Sequence, residues 1–164
     1  MTTKGHVYLV DDDHDIRFHL SDLLRQLGYG VSDFALATDF LSQAQRVSPA
    51  VLVLDMRMPH MNGLDVQQSL IASGWGLPII YMSGESQSQE IIDAMKAGAH
   101  DYVCKTDLSR LPAALEREVT EARLRQHARL AESNLRKSET LLNSIVNTAA
   151  DGIIVVSANG TVEF

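Results

Sequence analysis

The stretch that decides the fold is Val51-Leu52-Val53-Leu54-Asp55, followed by Met56-Arg57-Met58-Pro59-His60-Met61-Asn62-Gly63. Its four leading apolar residues are too few for a helix and predict a buried β-strand. Pro59 and the Asn62-Gly63 pair predict a loop and a turn directly after that strand. The strand therefore ends on the carboxylate of Asp55. This is the edge at which open parallel sheets place their binding sites.

The composition is that of a globular protein. The chain has 164 residues, of which 45% are hydrophobic and 21% charged, enough apolar material for a core. Because no apolar run reaches the roughly 18 residues of a membrane span and the N-terminus lacks a signal-like region, we expect a cytoplasmic protein without membrane contact. The net charge of −7 argues against nucleic-acid binding by this segment. Cys104, the single cysteine, is expected to be a small buried residue rather than a reactive thiol.

Four more short apolar runs predict strands, over residues 6–10, 31–34, 77–82 and 101–104. Apolar residues at helical spacing lie between these runs, and Gly28 and Gly98 end two of the predicted helices. A short helix is predicted over residues 38–47 with Thr38 as its N-cap. Strands and helices thus alternate across residues 6–125. This alternation predicts an α/β fold with a doubly wound parallel sheet covered on both faces.

All strands of such a sheet end at one edge, where polar side chains converge. The residues at those ends are Asp11, Asp12, Asp55, Ser83 and Lys105. Carboxylates at 4 Å repel by about 4 kcal/mol at an effective dielectric of about 20, so the cluster needs a cation. Oxygen ligands alone favour Mg²⁺ or Mn²⁺, and Lys105 supplies a second positive charge. Asp55, the lone carboxylate on the central strand, is the candidate nucleophile toward a phosphoryl group, with Asp11 and Asp12 better suited to the metal.

Four motifs occur in a characteristic order: Val10-Asp11-Asp12, Asp55-x-x-Met58-Pro59-x-Met61-x-Gly63, Ser83-Gly84, and Gly98-Ala99-x-x-Tyr102-x-x-Lys105. Together they resemble the response-regulator receiver domain of two-component signalling, over about residues 5–125. The resemblance implies a flavodoxin-like sheet of five strands in the order 2-1-3-4-5. It also implies that Asp55 accepts a phosphoryl group from a histidine kinase, a phosphotransfer protein or a small phosphodonor.

The resemblance further assigns roles around the acceptor. Asp12, Asp55 and the backbone carbonyl of Arg57 would ligate Mg²⁺, and Asp11 would reach it through water. The switch pair would be Ser83 and Tyr102, and Lys105 would contact the phosphate. One position departs from the family pattern, because Thr106 follows the lysine where proline is usual. A non-proline cis bond costs about 2.5–4 kcal/mol, so we expect a trans bond there.

Two charged residues flank the predicted crevice. Arg57 and Glu85 stand two residues after Asp55 and Ser83 respectively. We expect them to pair across the site and to slow the access of water to the phosphoryl group.

A change of character begins near residue 109. No Gly or Pro occurs from residue 113 to residue 150, so we expect the last receiver helix to continue through a linker over residues 126–143. A thin apolar seam favours a parallel homodimer through this helix over a solvated helix or packing on its own domain. Residues 144–164 resemble the entry of a PAS domain, with a strand, an Asn-Gly turn and a second strand. We expect this domain to be truncated and an output domain to be missing.

Three functions stay open at this point. The first is a phosphorylatable switch, which catalyses only its own phosphorylation and dephosphorylation and is otherwise not an enzyme, although a missing output domain could be one. The second is a phosphatase with Asp11 as nucleophile and Asp13 as acid, but His14 stands where a small residue is expected. The third is a pseudo-receiver that serves only for dimerisation or docking. It would lack an acceptor, a metal pair or a lysine, and none of these is lacking.

Overall fold

The computed structural model describes residues 3–84 and 89–150 and the two short strands at 155–156 and 162–163, with side chains to residue 146. Its contacts divide the chain into two compact units, Met1–Gln126 and His127–Phe164.

The elements follow one another as the alternating pattern predicts. They are β1 His6–Val10, α1 His14–Gln26, β2 Gly30–Phe34, α2 Ala37–Gln43, β3 Ala50–Asp55, α3 Gly63–Ala72, β4 Ile79–Ser83, α4 Gln89–Lys96, β5 Asp101–Cys104, α5 Leu111–Ala150, β6 Val155–Val156 and β7 Val162–Glu163. The first five strands form one parallel sheet in the order β2-β1-β3-β4-β5. This confirms the predicted flavodoxin-like fold.

Strand β3 is the middle strand of the sheet, and all six of its residues are buried. Helices α2, α3 and α4 pack on one face of the sheet, and α1 and the start of α5 pack on the other. A strand covered on both faces has no polar side to present, which is why its sequence is a continuous apolar run. In the sheet register Val10 pairs with Leu54 and Asp55 with Met82. The carboxyl ends of β1, β3 and β4 therefore lie together at one edge.

Helix α2 differs from the prediction at both ends. It begins one residue before Thr38, and its N-cap makes no side-chain hydrogen bond, so the assignment of Thr38 as the cap is wrong. The helix also ends earlier than predicted. The hydroxyl of Tyr8 donates to the carbonyl of Gln45 and accepts from the amide of Val47 at 3.3 Å. This tertiary contact from β1 holds the chain after α2 in a non-helical path.

Cys104 is half-buried rather than buried, so that prediction is also wrong. It lies on β5, one of the two edge strands of the five-stranded sheet, where buried and partly exposed residues alternate. Its Sγ lies 3.0 Å from Oγ1 of Thr106, and this hydrogen bond lowers the pKa of the thiol. The peptide bond between Lys105 and Thr106 is trans, as predicted. Within the described residues, the bond before Pro49 is cis.

Helix α5 continues without interruption from Leu111 to Ala150, which confirms the predicted long last helix. Pro112 lies in its first turn, where a missing N–H is tolerated. The part within the first unit buries Leu111, Ala114, Leu115, Val119 and Ala122. Among the described residues of the second unit, β6 and β7 pair antiparallel, with Val156 opposite Val162. The predicted turn between them lies outside the described residues. No helix in the described part of the chain is long and apolar enough to cross a membrane.

Candidate functional site

Asp55 ends β3 with its side chain only 6% exposed. Its Oδ1 accepts a hydrogen bond from the backbone amide of Arg57 at 3.3 Å, and its Oδ2 lies 2.8 Å from Nζ of Lys105. The following loop closes tightly on Gly63, where a Cβ would lie 2.6 Å from Cε1 of Tyr81 and 3.0 Å from the carbonyl oxygen of Asp55. Only glycine fits this return without a shift of its neighbours, so the loop packs closely on Tyr81 and on the backbone at the end of β3.

Lys105 is the counter-charge of the site. Its Nζ lies 2.7 Å from Oδ2 of Asp11 and 2.8 Å from Oδ2 of Asp55, and its side chain is 18% exposed. Burial alone lowers the pKa of Lys105, but its hydrogen bonds to the two carboxylates outweigh burial and hold that pKa above the ordinary value. Burial raises the pKa of Asp55, the neighbouring charge of Asp11 adds to the rise, and Lys105 opposes it. The ammonium group therefore keeps two buried carboxylates together.

The residues after β1 differ in exposure. Asp11 is fully buried, and its Oδ1 accepts from the amide of Asp13 at 2.9 Å. Asp12 is exposed at the mouth of the site. The guanidinium of Arg17 donates to the carbonyl oxygens of Asp11 and Asp12 at 2.7 and 2.9 Å, which fixes the backbone of this turn. One carboxylate is thus held inside the protein and the next is presented to solvent.

Asp13 serves as the N-cap of α1. Its Oδ1 accepts from the amides of Asp15 and Ile16 at 2.9 and 3.1 Å. The hydrogen bond from Ile16 is the main cause that lowers the pKa of Asp13. A carboxylate with a lowered pKa is a poor proton donor, so Asp13 is unsuited to the general-acid role that the phosphatase alternative requires.

The carboxylate cluster fits a small divalent cation. One carboxylate oxygen from each of Asp11, Asp12 and Asp55 lies within 4.8 Å of the others. The ligands are all oxygen, the donor type that Mg²⁺ and Mn²⁺ prefer.

A cavity of about 440 Å³ opens beside the cluster. It is lined by Asp12, Asp13, Asp55, Met56, Arg57, Ser83, Gly84 and Lys105. Ser83 is buried at the end of β4. Tyr102 does not line this cavity. It pairs in register with Tyr81 and packs, partly buried, against the core under α3 and α4.

The comparisons with known proteins agree with this geometry. Residues 7–116 match the family model of the response regulator receiver domain. The chain belongs to this receiver family. Receiver domains are the phosphoacceptor modules of two-component signalling, and they interact with histidine kinases or phosphotransfer proteins.

Curated relatives are longer than this receiver. It is 42% identical over 99 residues to the response regulator protein TmoT of Ectopseudomonas mendocina, a match that covers 60% of this chain and 45% of that protein. It is 37% identical over 123 residues to the transcriptional regulatory protein FixJ of Bradyrhizobium diazoefficiens, covering 74% of this chain and 60% of FixJ. The chain thus spans about half the length of these relatives.

Solved structures of response regulators share the fold. The response regulator StyR superposes with a TM-score of 0.79 at 31% identity, covering 93% of this chain and 79% of StyR. The structure of FixJ-N superposes with a TM-score of 0.66 at 32% identity, covering 73% and 96% respectively.

The receiver also contains two polar contacts that sequence reasoning missed. Nε of Arg57 lies 3.0 Å from Oε2 of Glu90, in the first turn of α4. The predicted partner Glu85 lies outside the described residues, and that pairing stays a prediction. The hydroxyl of Tyr81 lies 2.9 Å from the carbonyl oxygen of Gly63 and 3.0 Å from Oε1 of Gln67. The sequence signals for the second contact were a tyrosine, Tyr81, in a buried strand and a glutamine, Gln67, among the apolar positions of a helix.

Proposed function

We propose that Asp55 of this receiver accepts a phosphoryl group in a reaction that depends on Mg²⁺ or Mn²⁺. One observation carries the proposal. Asp55 is the carboxylate that both lines the cavity and contacts Lys105. Asp11 is buried with its oxygens held by Lys105 and the amide of Asp13, whereas Asp12 is exposed and follows β1 rather than the central strand β3.

The chemistry follows from these contacts. An Oδ of Asp55 attacks phosphorus, the bond from phosphorus to the donor breaks, and the donor leaves with the electron pair. Lys105 balances the negative charge on the phosphoryl oxygens, since its ammonium group already lies beside the Asp55 carboxylate. Asp12, Asp55 and the carbonyl of Arg57 would hold the metal ion, with Asp11 acting through water. The ion would neutralise charge on the phosphoryl oxygens.

The response is proposed to run through Ser83 and Tyr102. Ser83 is buried at the wall of the cavity that Asp55 also lines. Its hydroxyl would donate to a phosphoryl oxygen. Tyr102 is half-buried on β5, the strand next to β4. A movement of Ser83 toward the phosphoryl group would alter the space beside Tyr102, and with it the surface of β5 and α5.

The chain is proposed to act as a homodimer in the cytoplasm. In the second unit, Leu135, Leu142 and Ile145 are exposed and recur at intervals of seven and three residues. This spacing is typical of a coiled-coil seam, since such an apolar stripe needs a partner helix. Because the net charge is −7, we propose no direct nucleic-acid contact by this segment. We also propose no enzymatic activity beyond self-phosphorylation and dephosphorylation.

Residues 144–164 are proposed to begin a PAS-like domain downstream of the helical linker 126–143. The antiparallel pairing of β6 with β7 supports a hairpin in this segment. A receiver, a helix and a sensor-like domain in this order would form a larger signalling protein, in which the state of Asp55 is transmitted through α5.

Intact-mass measurement after incubation with a small phosphodonor and Mg²⁺ tests the acceptor. We expect the wild type to gain one phosphoryl group, the Asp55→Asn variant to gain none, and chelation of the metal to prevent the gain. Asp33→Asn, a change at the exposed position of β2, is the matched control and should behave as wild type. A phosphoryl adduct that persists on Asp55→Asn would contradict the assignment. A wild type that takes up no phosphoryl group would favour the pseudo-receiver.

A further inference from the structure

Arg57 connects the phosphorylation site to helix α4. Arg57 lies at the wall of the cavity beside Asp55, and its Nε lies 3.0 Å from Oε2 of Glu90. The two side chains are 63% and 47% exposed. A charge pair therefore crosses from the loop after β3 to the first turn of α4, a separation of 33 residues along the chain.

An ion pair of this exposure is easily broken. Solvent-exposed pairs contribute about 0–1 kcal/mol, so a stronger anion nearby can displace a carboxylate from its arginine. A phosphoryl group brings roughly 1.5 to 2 negative charges and three acceptor oxygens. The planar guanidinium group binds phosphate oxygens through two parallel hydrogen bonds, a geometry that an ammonium group cannot offer. Phosphorylated Asp55 would therefore compete directly with Glu90 for Arg57.

We propose that Arg57 exchanges Glu90 for the phosphoryl oxygens when Asp55 is phosphorylated. Glu90 is then a positioning residue with two effects. It shortens the lifetime of the phosphoryl group by drawing Arg57 away, and it holds the first turn of α4 only while Asp55 is unmodified. This inference rests on the proposed function of Asp55.

The effect on lifetime follows from the hydrolysis step. A water oxygen attacks phosphorus opposite the Asp55 Oδ, and the bond from phosphorus to Oδ breaks. Its electron pair returns to the carboxylate, the water protons pass to phosphate and solvent, and inorganic phosphate leaves. A guanidinium group on the phosphoryl oxygens covers part of the approach that water needs. More time spent by Arg57 at this position therefore means slower hydrolysis.

Decay of the phosphoryl adduct tests the exchange. The full chain is phosphorylated with a small phosphodonor, separated from the donor, and followed by intact mass over time. We expect Glu90→Gln to lengthen the lifetime about two- to fivefold, the range that an exposed ion pair allows. Arg57→Gln should shorten it. In the Arg57→Gln background, Glu90→Gln should have no further effect, because the competition that it relieves is already absent.

Two control variants separate this exchange from general effects of charge. Asp93→Asn removes a carboxylate from the same helix, where it accepts from Gln89 at 2.9 Å. Glu121→Gln removes a carboxylate paired with another arginine, Arg125, at 3.4 Å. Both should decay as wild type. Raised salt should lengthen the wild-type lifetime relative to Glu90→Gln, since it weakens the pair that Glu90 forms.

The outcomes are distinguishable. A Glu90→Gln lifetime equal to wild type, or an equal change in the Arg57→Gln background, would overturn the exchange while leaving Asp55 as the acceptor. A wild type that takes up no phosphoryl group would overturn the proposed function itself. Hydrogen exchange of the α4 amides tests the second effect. We expect phosphorylation to speed exchange in the wild type, and Glu90→Gln to show part of that increase before phosphorylation. Unchanged exchange in both would overturn the link to α4.

Discussion

Lys105 is the residue on which the two buried carboxylates of the site depend. It contacts Asp11 at 2.7 Å and Asp55 at 2.8 Å, and Asp11 is fully buried. Removing one partner of a buried charge cluster costs about 3–5 kcal/mol, because the remaining charges lose their compensation. A counter-charge, rather than burial of apolar area, therefore holds this edge of the sheet together.

Lys105→Met is expected to lower the free energy of unfolding by about 3 kcal/mol near neutral pH without divalent metal. The loss should be smaller at lower pH, since Asp55 already has a raised pKa and can take up a proton. Urea denaturation measures both values. Adding Mg²⁺ should recover more stability in the variant than in the wild type. Lys96→Met, at an exposed position of α4, is the control and should cost little. A similar loss in both variants would contradict the role of Lys105.

His6 gives stability a dependence on pH. Its Nε2 lies 3.0 Å from Oγ of Ser32, and burial lowers its pKa from the ordinary 6.5. Below that value the unfolded chain takes up a proton more readily than the folded chain, so acid favours unfolding. We expect the free energy of unfolding to fall as pH decreases through 6.5.

Denaturation at about pH 8 and about pH 5.5 checks this dependence. His6→Gln should lose less stability between the two values than the wild type. His127→Gln, on the exposed helix, should retain the wild-type difference. Equal differences in all three proteins would exclude His6 as the source.

At the scale of elements, a buried polar contact joins β4 to α3. The hydroxyl of Tyr81 lies 2.9 Å from the carbonyl oxygen of Gly63 and 3.0 Å from Oε1 of Gln67, and Nε2 of Gln67 reaches the carbonyl of Ala94 at 3.5 Å. Tyr81 and Gln67 are both buried. The first turn of α3, which follows the Asp55 loop, is thereby tied to β4 and to α4.

Tyr81→Phe is expected to destabilise the fold by about 1–2 kcal/mol. It removes the one hydroxyl proton that the Gln67 side-chain oxygen and the Gly63 carbonyl share, so these buried acceptors lose hydrogen bonding. The double variant Tyr81→Phe with Gln67→Met should regain part of this loss, since one of the stranded polar groups is then removed as well. Thermal or urea unfolding measures the wild type, Tyr81→Phe, Gln67→Met and the double variant. A double variant less stable than the sum of the two single changes would contradict a direct contact.

At the scale of the whole molecule, the exposed seam of α5 predicts self-association. Leu142→Asp should shift the chain toward monomer, because it puts a charge into the apolar stripe. Leu130→Asp is the matched control. Leu130 is equally apolar and exposed but lies off the seam, so this variant should associate as wild type. Sedimentation velocity or light scattering measures the mass. A wild type that is monomeric at high concentration would contradict the proposed homodimer.

Local patterns were sufficient for most of the fold. The apolar run before Asp55 predicts a doubly covered strand, and five such runs alternating with helices predict the parallel sheet. The gathering of carboxylates and Lys105 at one edge then follows from topology. Each inference depends on neighbouring residues or on the shared direction of parallel strands, and both can be read along the chain.

Helix ends and exposure on edge elements needed the folded structure. Helix α2 stops early because Tyr8 of a distant strand binds the backbone of Gln45 and Val47. Cys104 is half-buried because β5 is an edge strand that other elements cover only in part. Neither outcome has a local signal, since the contacting or covering groups come from elsewhere in the sequence.

The amino-acid sequence alone is enough to predict a receiver fold and the group of side chains at the carboxyl edge of its sheet, because periodicity and strand direction are local properties. Only the tertiary structure decides which of those side chains are buried and which partners they contact. Asp11 is buried against Lys105, whereas Asp12 is exposed to solvent. Arg57 contacts Glu90, which lies 33 residues later in the chain. Such pairings depend on distances of a few ångströms between separate elements, and these distances exist only once the helices have packed on the sheet.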